Sequence, residues 1–97
     1  MRIEFDPDKD AVNRAVHGIS LAATEQLMKG FVVERGDARR DYGEVRIIAI
    51  GEIAGRVFTC VYTRRGEAYR PISLRPAHRK ERHVYREAKA QNDESGR

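Results

Sequence analysis

The segment from Arg70 to Tyr85 is the feature of this sequence that most restricts how the chain can fold. Residues 70–75 form a short extended run, and Pro76 then breaks it, because proline has no N–H for a strand ladder. A basic helix follows from about Ala77. Five residues at helical spacing form the side that we expect to pack on a sheet: Ala77, Glu81, Val84, Tyr85 and Ala88. The segment therefore predicts a strand-to-helix corner that presents cations.

Two short helices are predicted near the start of the chain. Asp6 followed by Pro7 is a favourable helix start, because the aspartate can cap a free N–H and proline lacks the N–H that would stay unpaired there. The apolar stripe expected for this helix comprises Ala11, Val12, Ala15 and Val16. Gly18 is expected to end it as a left-handed cap. Ser20 is the expected cap of a second helix, which ends at Gly30.

Most of the remaining chain reads as short strands. Alternating or β-branched runs predict strands at residues 2–5, 31–34, 45–50, 57–63 and 68–75. The last three are joined by short turns, which predicts an antiparallel meander. We therefore expect an α+β fold in which two short N-terminal helices and a C-terminal helix pack on a small, mainly antiparallel sheet. One domain is expected over residues 1–90, and residues 91–97 are expected to fray.

The charge is concentrated in the second half of the chain. The net charge is +4, but residues 56–89 hold ten Lys/Arg against three Asp/Glu, a local balance of +7. Such a basic region is typical of a nucleic-acid binder, although a solvated surface or a site for an acidic protein fits it too. No apolar run approaches the ~20 residues that a membrane span needs. The charged start lacks an apolar signal region, so a cytoplasmic location is expected. The single cysteine, Cys60, is expected to be a buried structural thiol.

The two longest predicted strands define two sheet faces. A four-residue turn at 64–67 would place Thr63 opposite Ala68. One face would then carry Arg56, Phe58, Cys60, Tyr62, Tyr69, Ser73 and Arg75. The other would carry Val57, Val61, Arg70, Ile72 and Leu74. The second face is expected to form the core under the helices, and the first an exposed working surface. A bulge at Pro71 or a slip of one residue would change this assignment.

Motifs along the chain resemble a known protein family. They are Phe5-Asp6 with Lys9 and Asn13, His17-Gly18-Ile19-Ser20, Asp41 and Glu44 with Arg46, Gly51, Val61-Tyr62, Arg70, Ile72-Ser73-Leu74-Arg75-Pro76-Ala77, and Glu81-Arg82 with Tyr85. In this order they resemble the BrnT-type ribonuclease toxins of bacterial type II toxin–antitoxin pairs, over roughly residues 2–86. Phe5 and Leu21 depart from the family's usual tryptophan and phenylalanine at those positions, which we interpret as changes in core packing. The resemblance implies a RelE-like fold, with helices on a twisted antiparallel sheet.

Metal-independent RNA cleavage explains the residue types. The 2′-hydroxyl attacks the adjacent phosphate, so the site must stabilise added negative charge, take one proton and give another. Arg75 is the expected phosphate clamp, helped by Arg46 or Arg70, because arginine presents a fixed fork of donors. Arg46 and Arg70 fit equally well as arginines that pair with Glu81 or another carboxylate and so hold the last helix on the sheet. The candidate proton carriers are His78, which is preferred because it lies beside Arg75, together with His83, His17, Glu81, Tyr85 and Tyr62. For His17, a structural role at the end of the first helix is favoured, because its ring can reach the last carbonyls.

The expected RNA contacts lie mainly on the last helix. They are Arg56, Arg79, Lys80, Arg82 and Tyr85, of which Tyr85 also fits a packing role. Neither a metal site nor a cofactor motif is predicted. The resemblance implies a cognate antitoxin, usually encoded beside the toxin; a ribbon-helix-helix protein, which with the toxin would bind operator DNA, is the expected type. Two other functions fit the same basic surface: a nucleic-acid or protein-binding module without catalysis, and a transcriptional co-regulator that acts only with its antitoxin.

Overall fold

The computed structural model describes residues 1–39 and 41–95. Its helices and strands, in chain order, are β1 (Arg2–Ile3), α1 (Pro7–His17), α2 (Thr24–Lys29), β2 (Val33–Gly36), β3 (Ile47–Ile53), β4 (Arg56–Arg65), β5 (Ala68–Pro76) and α3 (Arg79–Ser95). A 3₁₀ turn over Leu21–Ala23 leads into α2. The expected α+β class is confirmed, with a five-stranded, mostly antiparallel sheet. No helix in the described part of the chain is long and apolar enough to cross a membrane.

The five strands form one sheet in the order β1-β5-β4-β3-β2. The predicted meander of β3, β4 and β5 is confirmed, and β2 adds to it antiparallel at one edge. At the other edge β1 pairs with the start of β5 in parallel, through two residues. The turns are tighter than predicted. Ala54 and Gly55, both with positive φ, connect β3 to β4, and residues 66–67 connect β4 to β5.

Helix α1 begins and ends at the predicted residues. The Asp6 carboxylate accepts a hydrogen bond from the Asp8 N–H at 2.8 Å, and Gly18 ends the helix at a φ of 71°. The predicted apolar stripe of this helix is wrong. Its four members are exposed: Ala11, Val12, Ala15 and Val16. Instead, α1 buries Asp10 and Asn13, which are 8% and 5% exposed.

These two polar side chains are buried because they bind backbone groups. The Asn13 amide accepts from the Leu74 N–H at 3.0 Å and donates to the Leu74 carbonyl at 2.8 Å and to the Ile19 carbonyl at 2.9 Å. It thus completes the edge of β5 as a neighbouring strand would. Asp10 accepts from the Leu21 N–H at 2.7 Å, and this bond keeps the pKa of Asp10 below its ordinary value. Backbone pairing therefore decides which side of α1 faces inward.

A bulge in β5 changes the predicted sheet faces. Tyr62 pairs with Pro71, but its neighbour Val61 pairs with Ser73, which leaves Ile72 as an extra residue. One extra residue moves every later side chain of a strand to the opposite face. The predicted faces are therefore wrong for the part of β5 that follows Pro71.

The observed faces can be named by the helices that they meet. The α1 face meets α1 and α2 and forms the larger core: Leu21, Leu27, Ala49, Ile53, Phe58, Cys60, Tyr62 and Leu74. The α3 face is the opposite side of the sheet, with Ile48, Ile50, Val57, Thr59, Val61, Thr63, Arg70, Ser73 and Arg75. The predicted working surface around Cys60 is thus buried core. Arg75, which was expected beside Cys60, lies on the α3 face, and Leu74, expected on the other face, joins the Cys60 core.

Helix α3 packs on its sheet face mainly through Tyr85, which is 2% exposed. The Tyr85 ring lies 5.8 Å from that of Phe31, and its hydroxyl donates to the Phe31 carbonyl at 3.1 Å. Val84 was expected on the packed side, but it is 48% exposed. The helix continues to Ser95, and the fraying expected for residues 91–97 stays a prediction, since residues 96–97 lie outside the described residues.

Candidate active site

The arginines on the α3 face include Arg35, Arg46, Arg70 and Arg75. Across the strands, Arg35 pairs with Ile48, Arg70 with Thr63, and Arg75 with Thr59. Arg46 immediately precedes β3, where strand alternation places it on the same side as Ile48. The three arginines expected to act in catalysis thus share one face, although the sequence had put Arg70 and Arg75 on opposite faces. The bulge at Ile72 is the cause.

Arg75 is held by a carboxylate from α3. Its two terminal nitrogens donate to the two oxygens of Glu81 at 2.7 and 3.0 Å, and one of them lies 3.4 Å from the Pro76 carbonyl. Both partners of the pair are largely buried, with side-chain exposures of 24% for Arg75 and 16% for Glu81. A sheet arginine was the expected partner of Glu81, with Arg46 and Arg70 named for it, but the arginine that pairs with Glu81 is Arg75. A bidentate pair of this kind fixes the direction of the guanidinium.

Glu81 also caps the start of α3. It is the third residue of α3, and its carboxylate accepts from the backbone N–H of His78, the residue before the helix, at 2.7 Å. This is one half of a capping box. Burial would raise the pKa of Glu81, but the hydrogen bonds from Arg75 and His78 outweigh it and bring the pKa to about 2. Glu81 is therefore a poor proton acceptor near neutral pH.

The three candidate histidines lie in different places. His78 is at the strand-to-helix corner, 73% exposed, with Nδ1 3.8 Å from Glu81. His83 lies one turn further along α3 and pairs with Glu87 at 3.4 Å. His17 lies in the last turn of α1, across the sheet from Glu81. His78 is thus the histidine that shares a carboxylate partner with Arg75.

Arg46 is supported by the loop before β3, in which the sequence analysis named Asp41 and Glu44 but not Asp37 or Tyr42. Its guanidinium lies 4.0 Å from the ring centroid of Tyr42, and its Nε is 3.2 Å from Glu44. The Tyr42 hydroxyl donates to the Asp37 carboxylate at 3.2 Å, and the Asp37 N–H donates to the Arg46 carbonyl at 2.9 Å. The Arg39 guanidinium donates twice to Asp37 and holds its pKa well below the ordinary value. Asp37 therefore bonds directly to the backbone of Arg46, and it also holds the Tyr42 ring on which the Arg46 guanidinium lies.

Of the expected RNA-contact residues, three lie at the start of α3, and the other two are in the core or on the α1 face. Arg79 and Lys80 are exposed in the first turn of α3, and Arg82 is half-buried and donates to the Ala77 carbonyl at 2.7 Å. Tyr85 is buried in the core. Arg56 is exposed, but it lies at the Ile53 end of the α1 face and stacks on Phe58, so it does not join the arginines of the α3 face.

Tyr62, another expected proton carrier, is also on the α1 face. Its ring packs 5.3 Å from that of Tyr69, and its hydroxyl donates to Glu34. Burial raises the pKa of the Tyr62 hydroxyl above its ordinary value. Tyr62 is thus separated from Arg75 by the sheet. Among the described residues, no three His, Cys, Asp or Glu side chains come together in a way that could hold a metal ion.

Comparison with protein families gives a clear result. Residues 5–81 match the family described as "Ribonuclease toxin, BrnT, of type II toxin-antitoxin system". The chain belongs to the BrnT family. A search of curated proteins found no match. The family is one of ribonucleases, and its type II class implies an antitoxin partner.

The region that matches the BrnT family covers the candidate site. The matched region ends at Glu81, so it contains His78, Arg35, Arg46, Arg70 and Arg75. Arg35, Asp37 and Tyr42 were missed by sequence reasoning. Alternation from Val33 would have placed Arg35 on the α3 face. The Asp37–Tyr42 contact lies in a loop, for which periodicity gives no signal.

Proposed function

We propose that this BrnT-family chain is a metal-independent endoribonuclease toxin that cleaves RNA by attack of a 2′-hydroxyl on the adjacent phosphate. The family supplies ribonuclease activity in general. One observation carries the finer proposal: the bulge at Ile72 puts Arg46, Arg70 and Arg75 on the same sheet face, and α3 begins beside the last of them. Positive charge fixed around one phosphate is what this chemistry needs, because charge accumulates there in the transition state.

In this proposal Arg75 binds the scissile phosphate. A guanidinium has five N–H donors. In the described structure two of those of Arg75 go to Glu81 and a third faces the Pro76 carbonyl, so two remain for phosphate oxygens. Glu81 holds the fork in one orientation, which lowers the entropy lost when the phosphate binds. Arg70, from the same strand as Arg75, and Arg46, from the residue before β3, add positive charge on the same face.

His78 is proposed to carry one of the two protons. Imidazole is the side chain that ordinarily changes charge near neutral pH. The backbone N–H of His78 is fixed by the same Glu81 carboxylate that fixes Arg75, so the two groups are held relative to one another, while the His78 ring stays exposed to a substrate. Glu81, whose pKa is about 2, fits a supporting role rather than that of the base.

The flanking RNA is proposed to follow the start of α3, where Arg79, Lys80 and Arg82 would contact phosphates. The proposed biological setting is a cytoplasmic toxin with a RelE-like fold in one domain, residues 1–90. A cognate antitoxin, of the ribbon-helix-helix type, would inhibit it and bind operator DNA together with it.

The test is an RNA cleavage assay in excess chelator. Arg75→Ala should lower the cleavage rate about 10²–10³-fold, the typical loss when one charge-stabilising donor is removed. Arg56→Ala is the matched control, because this arginine is on the same sheet but on the other face, and it should stay within about twofold of the wild type. His78→Ala should lose more than its neighbour His83→Ala. Cleavage that requires a divalent metal, or equal effects of Arg75→Ala and Arg56→Ala, would contradict the mechanism.

The Arg75–Glu81 pair also favours a second candidate function. If the pair serves only to hold α3 on the sheet, the basic surface would bind nucleic acid or antitoxin without catalysis, as a binding or co-regulator module. Arg75→Ala would then lower the melting temperature while RNA binding persisted without cleavage products. The same assay, with RNA binding measured beside cleavage, separates the two candidates.

A further inference from the structure

A groove lies between α3 and the β2–β3 edge of the sheet. Its lining consists of Val33, Arg35, Ile48, Ile50, Lys80, Glu81 and Val84. Glu81 is common to this groove and to the Arg75 pair, so the groove begins at the proposed catalytic site. None of its other members has a role in the phosphate chemistry proposed above, apart from Lys80.

The floor of this groove is apolar and partly uncovered. Ile48 and Ile50 are 7% and 5% exposed and form its base. Val33 is half-buried, and Val84 projects from α3 with 48% of its surface exposed. Val84 is thus a large apolar residue that the sheet does not cover, although it is only one position from Tyr85, which is 2% exposed. Covering an aliphatic surface of this kind with a flat apolar group is favourable, because apolar area is removed from water.

The rim of the groove is cationic. Arg35 on the sheet side and Lys80 on the helix side are both exposed. The one carboxylate in the lining, Glu81, is neutralised by Arg75. The groove therefore offers an apolar floor between two cations, which is complementary to a ligand with an apolar face and an anionic chain.

We propose that this groove binds the nucleobase next to the scissile phosphate. The proposal rests on the function proposed above and adds a substrate subsite to it. A nucleobase has flat faces that pack on apolar side chains, and its phosphates would lie near Arg35, Lys80 and Arg75. A nucleobase fits better than an amphipathic helix from a protein partner, because such a helix needs several apolar contacts along its length. Of the three α3 residues in the described lining, only Val84 is apolar.

The test compares two exposed valines on two helices. Val84→Asp places a charge in the groove, and Val16→Asp makes the same change on α1, where Val16 is 67% exposed. Binding of guanosine 3′-monophosphate and of inorganic phosphate is measured by calorimetry for each folded protein. We expect Val84→Asp to weaken nucleotide binding about tenfold, about 1.4 kcal/mol, and to leave phosphate binding within twofold. Val16→Asp should change neither, and Val84→Ala should give a smaller loss in the same direction.

Each outcome decides the proposal. Equal nucleotide binding by Val84→Asp and the wild type would overturn it, as would equal losses in the two Asp variants. If Val84→Asp prevents antitoxin binding but not nucleotide binding, the groove is a protein-docking surface and the proposal fails. Binding does not require turnover, so a wild type that binds the nucleotide in the groove without cleaving RNA would contradict the proposed catalysis alone. Arg75→Ala is the second control, since it should weaken phosphate and nucleotide together.

Discussion

The two faces of this sheet are made by the same three long strands, yet they differ in almost every property. The α1 face holds Phe58, Cys60 and Leu74 under two helices, and these side chains are at most 7% exposed. The α3 face has a smaller core around Val57 and Tyr85, and arginines lie along the rest of it. Folding free energy therefore comes mainly from one face, which leaves the other able to carry charged groups that cost stability.

The largest effect is expected from a substitution that leaves a cavity in the core of the α1 face and so lowers the free energy of unfolding. Leu74 is fully buried, so Leu74→Ala should lower the free energy of unfolding by about 2–5 kcal/mol. Val84→Ala on the α3 side should change it by less than about 0.5 kcal/mol, because Val84 is half exposed. Urea denaturation followed by circular dichroism measures both. Similar losses in the two variants would mean that the faces share the stability more evenly.

The Arg75–Glu81 pair should matter to both stability and activity. Glu81→Gln keeps the shape but removes the charge, and we expect a loss of about 1.5–3 kcal/mol at pH 7, the usual range for a hydrogen bond to a charged group. RNA cleavage per folded molecule should fall as well, because Arg75 loses its fixed direction. Glu81→Asp, which restores the charge at a shorter reach, should recover part of both. Unchanged cleavage by Glu81→Gln would remove Glu81 from the proposed site.

The pair also predicts an acid dependence with a definite sign. The pKa of Glu81 falls from 4.5 to about 2 on folding, so its ionised form is stabilised in the native state. Its contribution is complete above pH 4.5 and is lost as the pH falls towards 2. The wild-type advantage over Glu81→Gln in unfolding free energy should therefore shrink across that window. An advantage that grew on acidification would contradict this assignment.

A smaller effect is expected from the support of Arg46. Tyr42→Leu removes the ring beneath the guanidinium, whereas Tyr42→Phe keeps the ring and removes the bond to Asp37. A cation–π contact of this exposure contributes about 0.5–1 kcal/mol, so kcat/KM should fall roughly two- to fivefold in Tyr42→Leu. Tyr42→Phe should lose less. The larger loss in Tyr42→Phe would show that the hydroxyl bond, rather than the ring, orients Arg46.

The smallest expected effect is the reaction of Cys60 with a thiol reagent in the native protein. The thiol is fully buried on the α1 face, and burial raises its pKa to about 12. Under native conditions a thiol reagent should not react with it measurably, and reaction should begin only with urea-induced unfolding. Rapid labelling of the native protein would show that the α1 face opens.

Sequence reasoning succeeded where the signal was local. The Asp6 cap, the Gly18 stop and the β3–β5 meander depend on neighbouring residues, and all were found. It failed for α1, where helical periodicity favoured Val12 and Val16 as core residues. Asn13 is buried instead because it pairs with the backbone of Leu74, 61 residues away, a contact that periodicity does not detect.

The candidate site shows the same division. The proximity of Arg75, His78 and Glu81 could be predicted because they lie within one short stretch of sequence. Their common location with Arg46 and Arg70 depends on the register between strands. That register contains the extra residue Ile72, and no pattern in the strand itself fixed where the extra residue would fall.

Ile72, as the extra residue, therefore decides which face each later side chain of β5 points to. Without that single residue, the guanidinium of Arg75 would point to the side of Cys60, into an environment without water, and Leu74 would face outward. Because Asn13 bonds to both backbone groups of Leu74, α1 is in contact with the shifted part of the strand. Deleting or inserting one residue between Arg70 and Leu74 should thus be far more harmful than most substitutions there, because it would exchange the chemistry of the two faces while leaving the composition almost unchanged.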